Sequence, residues 1–211
     1  LDELAKASSQ IAIVVGAVVR TPDARPKAFE NAAVVLAGGR RLTHRSKTLL
    51  PTYDVFDEQR YFAIAKDRTP VAIPGLDGLL GLAVCEDTWF QTQPYPIDPV
   101  AELATQGAAL IVNPSASPWH VGKAAERRAL LADVAKRSGR PLVFVNQVGG
   151  NDELVFDGGS CAIGADGTVL LAMPLFEPGL AIVELPTRRS GSGQTEIVPG
   201  RGRALADVVD P

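Results

Sequence analysis

The chain has 211 residues, 46% hydrophobic and 21% charged, enough for one domain with a substantial core. Its net charge of −3 argues against nucleic acid or an anionic membrane as partner, and no apolar run reaches the roughly 18 residues a membrane-spanning helix needs. Two cysteines, Cys85 and Cys161, are too few for a disulfide framework and no signal or transit segment is recognisable, so a cytoplasmic location is expected.

The chain opens on a helical pattern, LDELAKAS. Apolar runs at 11–19 and 33–37 read as strands, the second continuing in strand-like fashion to Leu42. The basic run from Arg40 through Arg41, His44 and Arg45 to Lys47 reads as a solvated strand edge rather than a phosphate patch. From 47 to 76 no period is strong, and a stretch that long inside a compact domain is functional rather than filler. Strands follow at 79–84 and 108–112, separated by a short helix at 99–106 that Asp98 caps and Gly107 closes. A longer helix fills 123–138, with Ala125, Leu130, Leu131, Val134 and Ala135 as its apolar stripe and Gly139 at its end. Strands at 142–145, 160–163, 169–172 and 179–184 complete the pattern, and the turn Gly164 to Gly167 makes a hairpin of two of them. Several strands are nearly continuous in Val and Ile, as expected when both faces are covered. Crossovers mixed with antiparallel pairs give an α/β class. The segment 187–211, rich in Gly, Arg and Pro, reads as a linker or extended arm; its GSG and GRG lack the lysine of a phosphate loop.

Three strands run out into polar clusters: one ahead of Lys47, one into Cys85-Glu86-Asp87, and one into Asn113-Pro114-Ser115-Ala116-Ser117 and on to His120. In open α/β sheets such strand ends border the ligand crevice. A free cysteine ending an apolar run is ordinarily a small core residue. Two adjacent carboxylates point instead to a site or a surface, yet they disfavour the thiolate that a nucleophile needs. His44 and His120 show no diagnostic spacing to a cysteine, and two histidines with two cysteines make no zinc site. Lys47 is the better partner, because an ammonium stabilises both a thiolate and a developing oxyanion, although a lone lysine is ordinarily a surface residue.

The segments SKTLLPTYDVFDEQRYF (46–62), VCEDTWF (84–90) and NPSASPWHVGK (113–123), in this order, resemble the nitrilase, or carbon–nitrogen hydrolase, superfamily. With NQVGGNDELVFDGGSCAIGADG (146–167) they are similar to one branch of it, the glutaminase domains of glutamine-dependent NAD+ synthetases. The resemblance runs from about residue 10 to 186 and implies a four-layer α-β-β-α sandwich with a Glu–Lys–Cys triad. Cys85 matches the nucleophile, Lys47 the oxyanion-stabilising lysine and Glu58 a second, supporting glutamate. Glu86 falls at the acidic position beside the nucleophile, and Tyr53, Ser117 and Lys123 fall where this branch holds its glutamine. The implied chemistry is amide hydrolysis through a thioester, with no metal or cofactor in this domain. ATP and magnesium belong to a synthetase half that uses the released ammonia on nicotinic acid adenine dinucleotide. A homo-oligomer is implied by analogy.

The resemblance has one gap. The triad glutamate is expected upstream of Lys47, where the only carboxylates are Asp2, Glu3, Asp23 and Glu30, and none sits in the Pro-Glu-Leu type of segment required. The expectation is therefore a glutaminase domain at 1–186, incomplete at its N-terminus, followed by a linker at 187–211 toward a synthetase domain not included. A stand-alone amidase or nitrilase, and an inactive module with an assembly role, remain as alternatives.

Overall fold

The computed structural model describes residues 1–21 and 27–185, together with the backbone of 203–204. Apart from those two residues, the segment expected as linker lies outside the described residues.

A short helix, α1 (Asp2–Ala7), precedes an antiparallel sheet of β1 (Ile13–Arg20), β2 (Phe29–Ala37) and β3 (Arg40–Ser46) in that spatial order. The strand-like run to Leu42 is in fact two strands. Gly38 and Gly39 take φ of +61° and +76°, a left-handed pair that turns the chain back as a hairpin. Next come a one-turn helix α2 (Glu58–Tyr61), β4 (Val71–Ala72) and β5 (Leu79–Leu82). Helix α3 (Pro99–Thr105), β6 (Ala108–Ser115), helix α4 (Lys123–Ser138) and β7 (Leu142–Asn146) form two crossovers, so β5, β6 and β7 run parallel. The hairpin β8 (Val148–Asn151) and β9 (Leu154–Asp157) follows, then β10 (Cys161–Ile163) and β11 (Val169–Ala172). The second sheet has the order β11-β10-β7-β6-β5-β4. Finally β12 (Ala181–Ile182) pairs with β13 (Arg203–Ala204).

Strand alternation builds the layers. On β2, Ala33 and Val35 point one way, into a core with Leu80, Leu82 and Val84 of the second sheet. Ala32, Val34 and Leu36 point the other way, against Ala5 of α1. The far face of the second sheet, with Ile111, Leu142, Phe144 and Cys161, packs on Val100 and Leu103 of α3 and on Leu131, Val134 and Ala135 of α4. Helix–sheet–sheet–helix is the four-layer sandwich. Helix α4 has the expected bounds, and its last turn is closed by Gly139 at φ +61°. Asp98 caps α3 by accepting from the Ala101 N–H at 3.0 Å.

Two connections position the site. After β3 the chain runs beside β2, where Lys47 N–H donates to Asn31 O (2.7 Å) and Ala65 N–H to Lys47 O (3.1 Å). The hairpin β8–β9 closes over the end of β6: Trp119 N–H donates to Val155 O at 2.7 Å, and Gly158 N–H to Gln147 O at 2.9 Å. That hairpin is absent from the strand pattern of the sequence, because Gly149 and Gly150 depress strand character in β8.

Candidate active site

The ends of β5 and β6 and the start of the 47–65 segment meet at one edge of the second sheet. Cys85 opens a 3-10 turn, Cys85–Thr88, directly after β5. Its φ of +45° is left-handed, an uncommon conformation for a side chain with a Cβ. The turn is held by Asp87, whose Oδ1 accepts from the N–H groups of Thr48 (3.0 Å) and Leu49 (2.8 Å) and whose Oδ2 accepts from Val84 N–H (2.9 Å). One carboxylate thus fastens the Cys85 turn to the lysine segment. Asn113, at the end of β6, donates to Cys85 O at 3.3 Å.

Lys47 is 1% exposed, and its Nζ lies 2.5 Å from Glu58 Oε1. The other oxygen of Glu58 accepts from Asn31 Nδ2 at 3.1 Å. Burial by itself pulls the Lys47 pKa down, but the charges of Cys85, Glu58 and Asp87 outweigh it and hold the ammonium above its ordinary value. The lysine is therefore a fixed buried cation rather than a surface residue. Burial pushes the Cys85 thiol up; Lys47 opposes this, Glu86 and Glu58 add to it, and the Ala116 N–H lowers it.

Glu86 explains how a thiol tolerates its acidic neighbour. Its Oε1 accepts from both Tyr53 Oη (2.7 Å) and Tyr95 Oη (2.9 Å). Burial raises its pKa, and the two phenols and Lys47 hold it down. Both phenols bond the same oxygen, and the net effect of burial leaves the Glu86 carboxyl above its ordinary value. Glu58 and Asp87 are engaged as described. Among the described residues no carboxylate hydrogen-bonds to the thiol, and Asp23 lies outside them.

Cys85, Glu86, Tyr53, Ser117 and Lys123 line one cavity of about 410 Å3, joined by Trp89, Trp119, His120 and Glu126. Lys47 and Glu58 are not among its lining residues but act on Cys85 through their charges. Lys123 Nζ sits 3.7 Å from the centroid of the Trp89 ring and 3.8 Å from Glu126. Burial lowers its pKa, Glu126 raises it and Arg127 lowers it further. Ser117 is buried, and its N–H donates to Asn146 Oδ1 at 2.9 Å. The structure thus brings together all seven residues singled out from the sequence. Tyr95, Trp89, Asn113 and Asn146 were not among them. Asn113 and Asn146 share a legible signal, a polar residue at the end of a buried apolar strand; Tyr95 and Trp89 carry none.

Cys161 differs from Cys85. It is buried in the helix-facing core, where burial pushes its pKa to about 11. Burial raises both thiols, so what separates them is position: Cys161 packs in the helix-facing core, whereas Cys85 opens on the cavity and feels the charge of Lys47.

The carbon–nitrogen hydrolase family profile matches residues 1–193. The chain is 42% identical over 186 residues to the glutamine-dependent NAD(+) synthetase of Synechocystis sp., covering 84% of this chain and 33% of that protein. It is 38% identical over 184 residues to the enzyme of the same name from Xanthomonas campestris pv. campestris, covering 87% and 32%. The chain thus spans about a third of the length of the curated relatives it matches. Among solved structures it is similar to the glutamine-dependent NAD+ synthetase from Acinetobacter baumannii in complex with ADP (TM-score 0.73, 33% identity, 83% of this chain and 31% of that one). It is also similar to a variant of the amidase from Nesterenkonia sp. AN1 showing the result of Michael addition of acrylamide at the active site cysteine. There the TM-score is 0.67 and the identity 27%, over 83% of this chain and 63% of the amidase.

Proposed function

This chain belongs to the carbon–nitrogen hydrolase family, and we propose that within it Cys85 is the nucleophile of a glutamine-hydrolysing site. The observation that carries the reading is Cys85 itself: a left-handed turn at a strand end, opening on a cavity, with the charges of the buried Lys47–Glu58 pair acting on it. The cavity wall supports the substrate class. It offers a carboxylate, Glu86, and an ammonium, Lys123, across one space, which suits the zwitterionic end of glutamine, with Tyr53 and Ser117 beside them.

In this mechanism Cys85 loses its proton to a carboxylate and attacks the side-chain amide carbon. Lys47 stabilises the oxyanion of the tetrahedral intermediate; removing one such donor typically costs about 3–4 kcal/mol. The C–N bond breaks, the amide nitrogen takes up the proton and leaves as ammonia, and a γ-glutamyl thioester remains. Water hydrolyses the thioester, releasing glutamate and restoring the thiol. Glu58 keeps Lys47 in place and charged. Because Glu58, Glu86 and Asp87 are already engaged, we assign the base to a carboxylate outside the described residues. In the longer protein the ammonia serves an ATP- and magnesium-dependent amidation of nicotinic acid adenine dinucleotide by a synthetase domain beyond these 211 residues. A cytoplasmic location and a homo-oligomer go with this reading.

The test is labelling with an electrophilic glutamine analogue, read by peptide mass spectrometry. Cys85 is expected to be modified and Cys161 spared; modification of Cys161 alone refutes the site. Turnover of glutamine by the chain itself is expected to be low, since no carboxylate of the described residues hydrogen-bonds to the thiol. Robust glutamate release that Cys85→Ala abolishes would show that a carboxylate of this chain performs that step.

A further inference from the structure

The end of β6 carries a buried polar side chain that the proposed chemistry does not use. Asn113 is fully buried, and it reaches the turn on which Cys85 stands. Burying an amide costs free energy that only hydrogen bonds recover, and an apolar side chain would fill the place without that cost. What the amide adds is direction. Ser115 Oγ donates to Asn113 Oδ1 at 2.5 Å, and Asn113 Nδ2 donates to Cys85 O at 3.3 Å. A carbonyl can only accept, so the amide nitrogen must face Cys85, and the Ser115 hydroxyl completes the other end in that same orientation. Thr88 Oγ1, four residues into the 3-10 turn, is a second donor to Cys85 O at 3.1 Å. The Cys85 carbonyl is thus held by two side chains, one from its own turn and one from β6.

We propose that Asn113, its amide set by Ser115, is a positioning residue for the nucleophile: with Thr88 it clamps the Cys85 carbonyl and holds Cys85 in its left-handed conformation. That conformation, φ +45°, is disfavoured for a side chain with a Cβ and persists only where the surroundings impose it. Asp87 fixes the chain ahead of Cys85 by accepting from Val84 N–H, and Asn113 acts on the peptide unit after it. The peptide is planar, so a fixed Cys85 carbonyl also fixes the Glu86 N–H on its opposite side. Release of the carbonyl lets Cys85 relax toward the common backbone regions, which swings its Cα–Cβ bond and carries the sulfur out of its place in the cavity wall. The hydrogen bonds of Lys47, Glu58, Glu86 and the two tyrosines do not involve Asn113, so the charged groups around the thiol stay when Asn113 alone is changed.

This inference rests on the reading of Cys85 as the nucleophile of a glutamine site, and one experiment separates the two. The 211-residue chain is treated with a chloroketone analogue of glutamine and, separately, with iodoacetamide. Modification of Cys85 is followed by peptide mass spectrometry, with near-ultraviolet circular dichroism as the check of folding. In the unaltered chain the chloroketone is expected to modify Cys85 with saturation kinetics; modification without saturation, or none, overturns the glutamine-site reading and this inference with it. In Asn113→Ala the maximal rate of modification is expected to fall about tenfold at an unchanged half-saturating concentration, because the bound ketone meets a misplaced sulfur. Iodoacetamide needs no bound pose and is expected to slow by about threefold at most. Ser115→Ala, which keeps Asn113 but removes the donor to its Oδ1, is expected to act in the same direction by a smaller factor, and it is the variant to use if the alanine form at 113 does not fold. A folded variant that keeps the maximal rate, or loses it equally toward both reagents, overturns the positioning role while leaving Cys85 as nucleophile.

Discussion

The Lys47–Glu58 pair makes a prediction whose sign is as informative as its size. At 2.5 Å two unit charges attract by about 7 kcal/mol at an effective dielectric of ~20. Desolvation offsets most of this, because Lys47 is 1% exposed, while Glu58 at 18% keeps some contact with water. Lys47→Met should therefore cost about 3 kcal/mol, mainly by leaving Glu58 half-buried without its cation. Lys47→Met with Glu58→Gln should recover about 2 kcal/mol of that loss. Urea unfolding of the two single variants and the double variant closes the cycle, and a coupling energy below ~0.5 kcal/mol refutes a buried ion pair. The thiol supplies an independent reading. Lys47 lowers the Cys85 pKa and Glu58 raises it, so Lys47→Met should slow alkylation of Cys85 and Glu58→Gln should speed it. Shifts in the same direction would refute the electrostatic arrangement even if the coupling energy came out as expected.

Other expectations follow from single contacts. Burial holds the Asp87 carboxyl up at about 6 against an ordinary 3.8. The folded chain thus binds that proton more tightly than the unfolded chain, and ionisation of Asp87 subtracts stability as pH rises through this window, about 3 kcal/mol in full. Asp87→Asn should flatten that part of the urea stability–pH curve, at a cost of about 1–3 kcal/mol for the Val84 N–H left facing an amide; an unchanged slope rules out Asp87 as the titrating group. Tyr95→Phe removes one of two donors from Glu86 and should raise KM for glutamine in an active longer protein more than it lowers kcat, whereas a pure kcat effect would separate Glu86 from substrate binding. At Gly81 an added Cβ would lie 2.5 Å from Ile111 Cδ1 and 3.1 Å from Ala108 Cβ, so Gly81→Ala should lower the urea midpoint by overpacking, by about 1–3 kcal/mol. An unshifted midpoint would mean that β5 and β6 can separate without loss.

What could be read from the sequence, and what could not, follows from the range of the forces involved. Strands buried on both faces announce themselves through continuous apolar runs, and helix α4 through its stripe and its closing glycine. Local polar residues at strand ends marked Lys47, Cys85 and Ser117 before any contact was known. The chain does not announce a strand whose pairing depends on tertiary support. The hairpin β8–β9 is built on Gly149 and Gly150 and is fastened to the end of β6 through Trp119 and Val155. Nor does it announce which oxygen of which carboxylate is already taken. Glu86 and Asp87 looked like an obstacle to a reactive cysteine because sequence gives charge without partners. In the fold, Tyr53 and Tyr95 occupy one, and three backbone N–H groups occupy the other. Their negative charge is spent on orienting the turn, and the net field at the sulfur is contested between these anions and Lys47. The two acidic neighbours thus become part of what shapes the site, with Asp87 fixing the turn on which Cys85 stands and Glu86 facing the cavity.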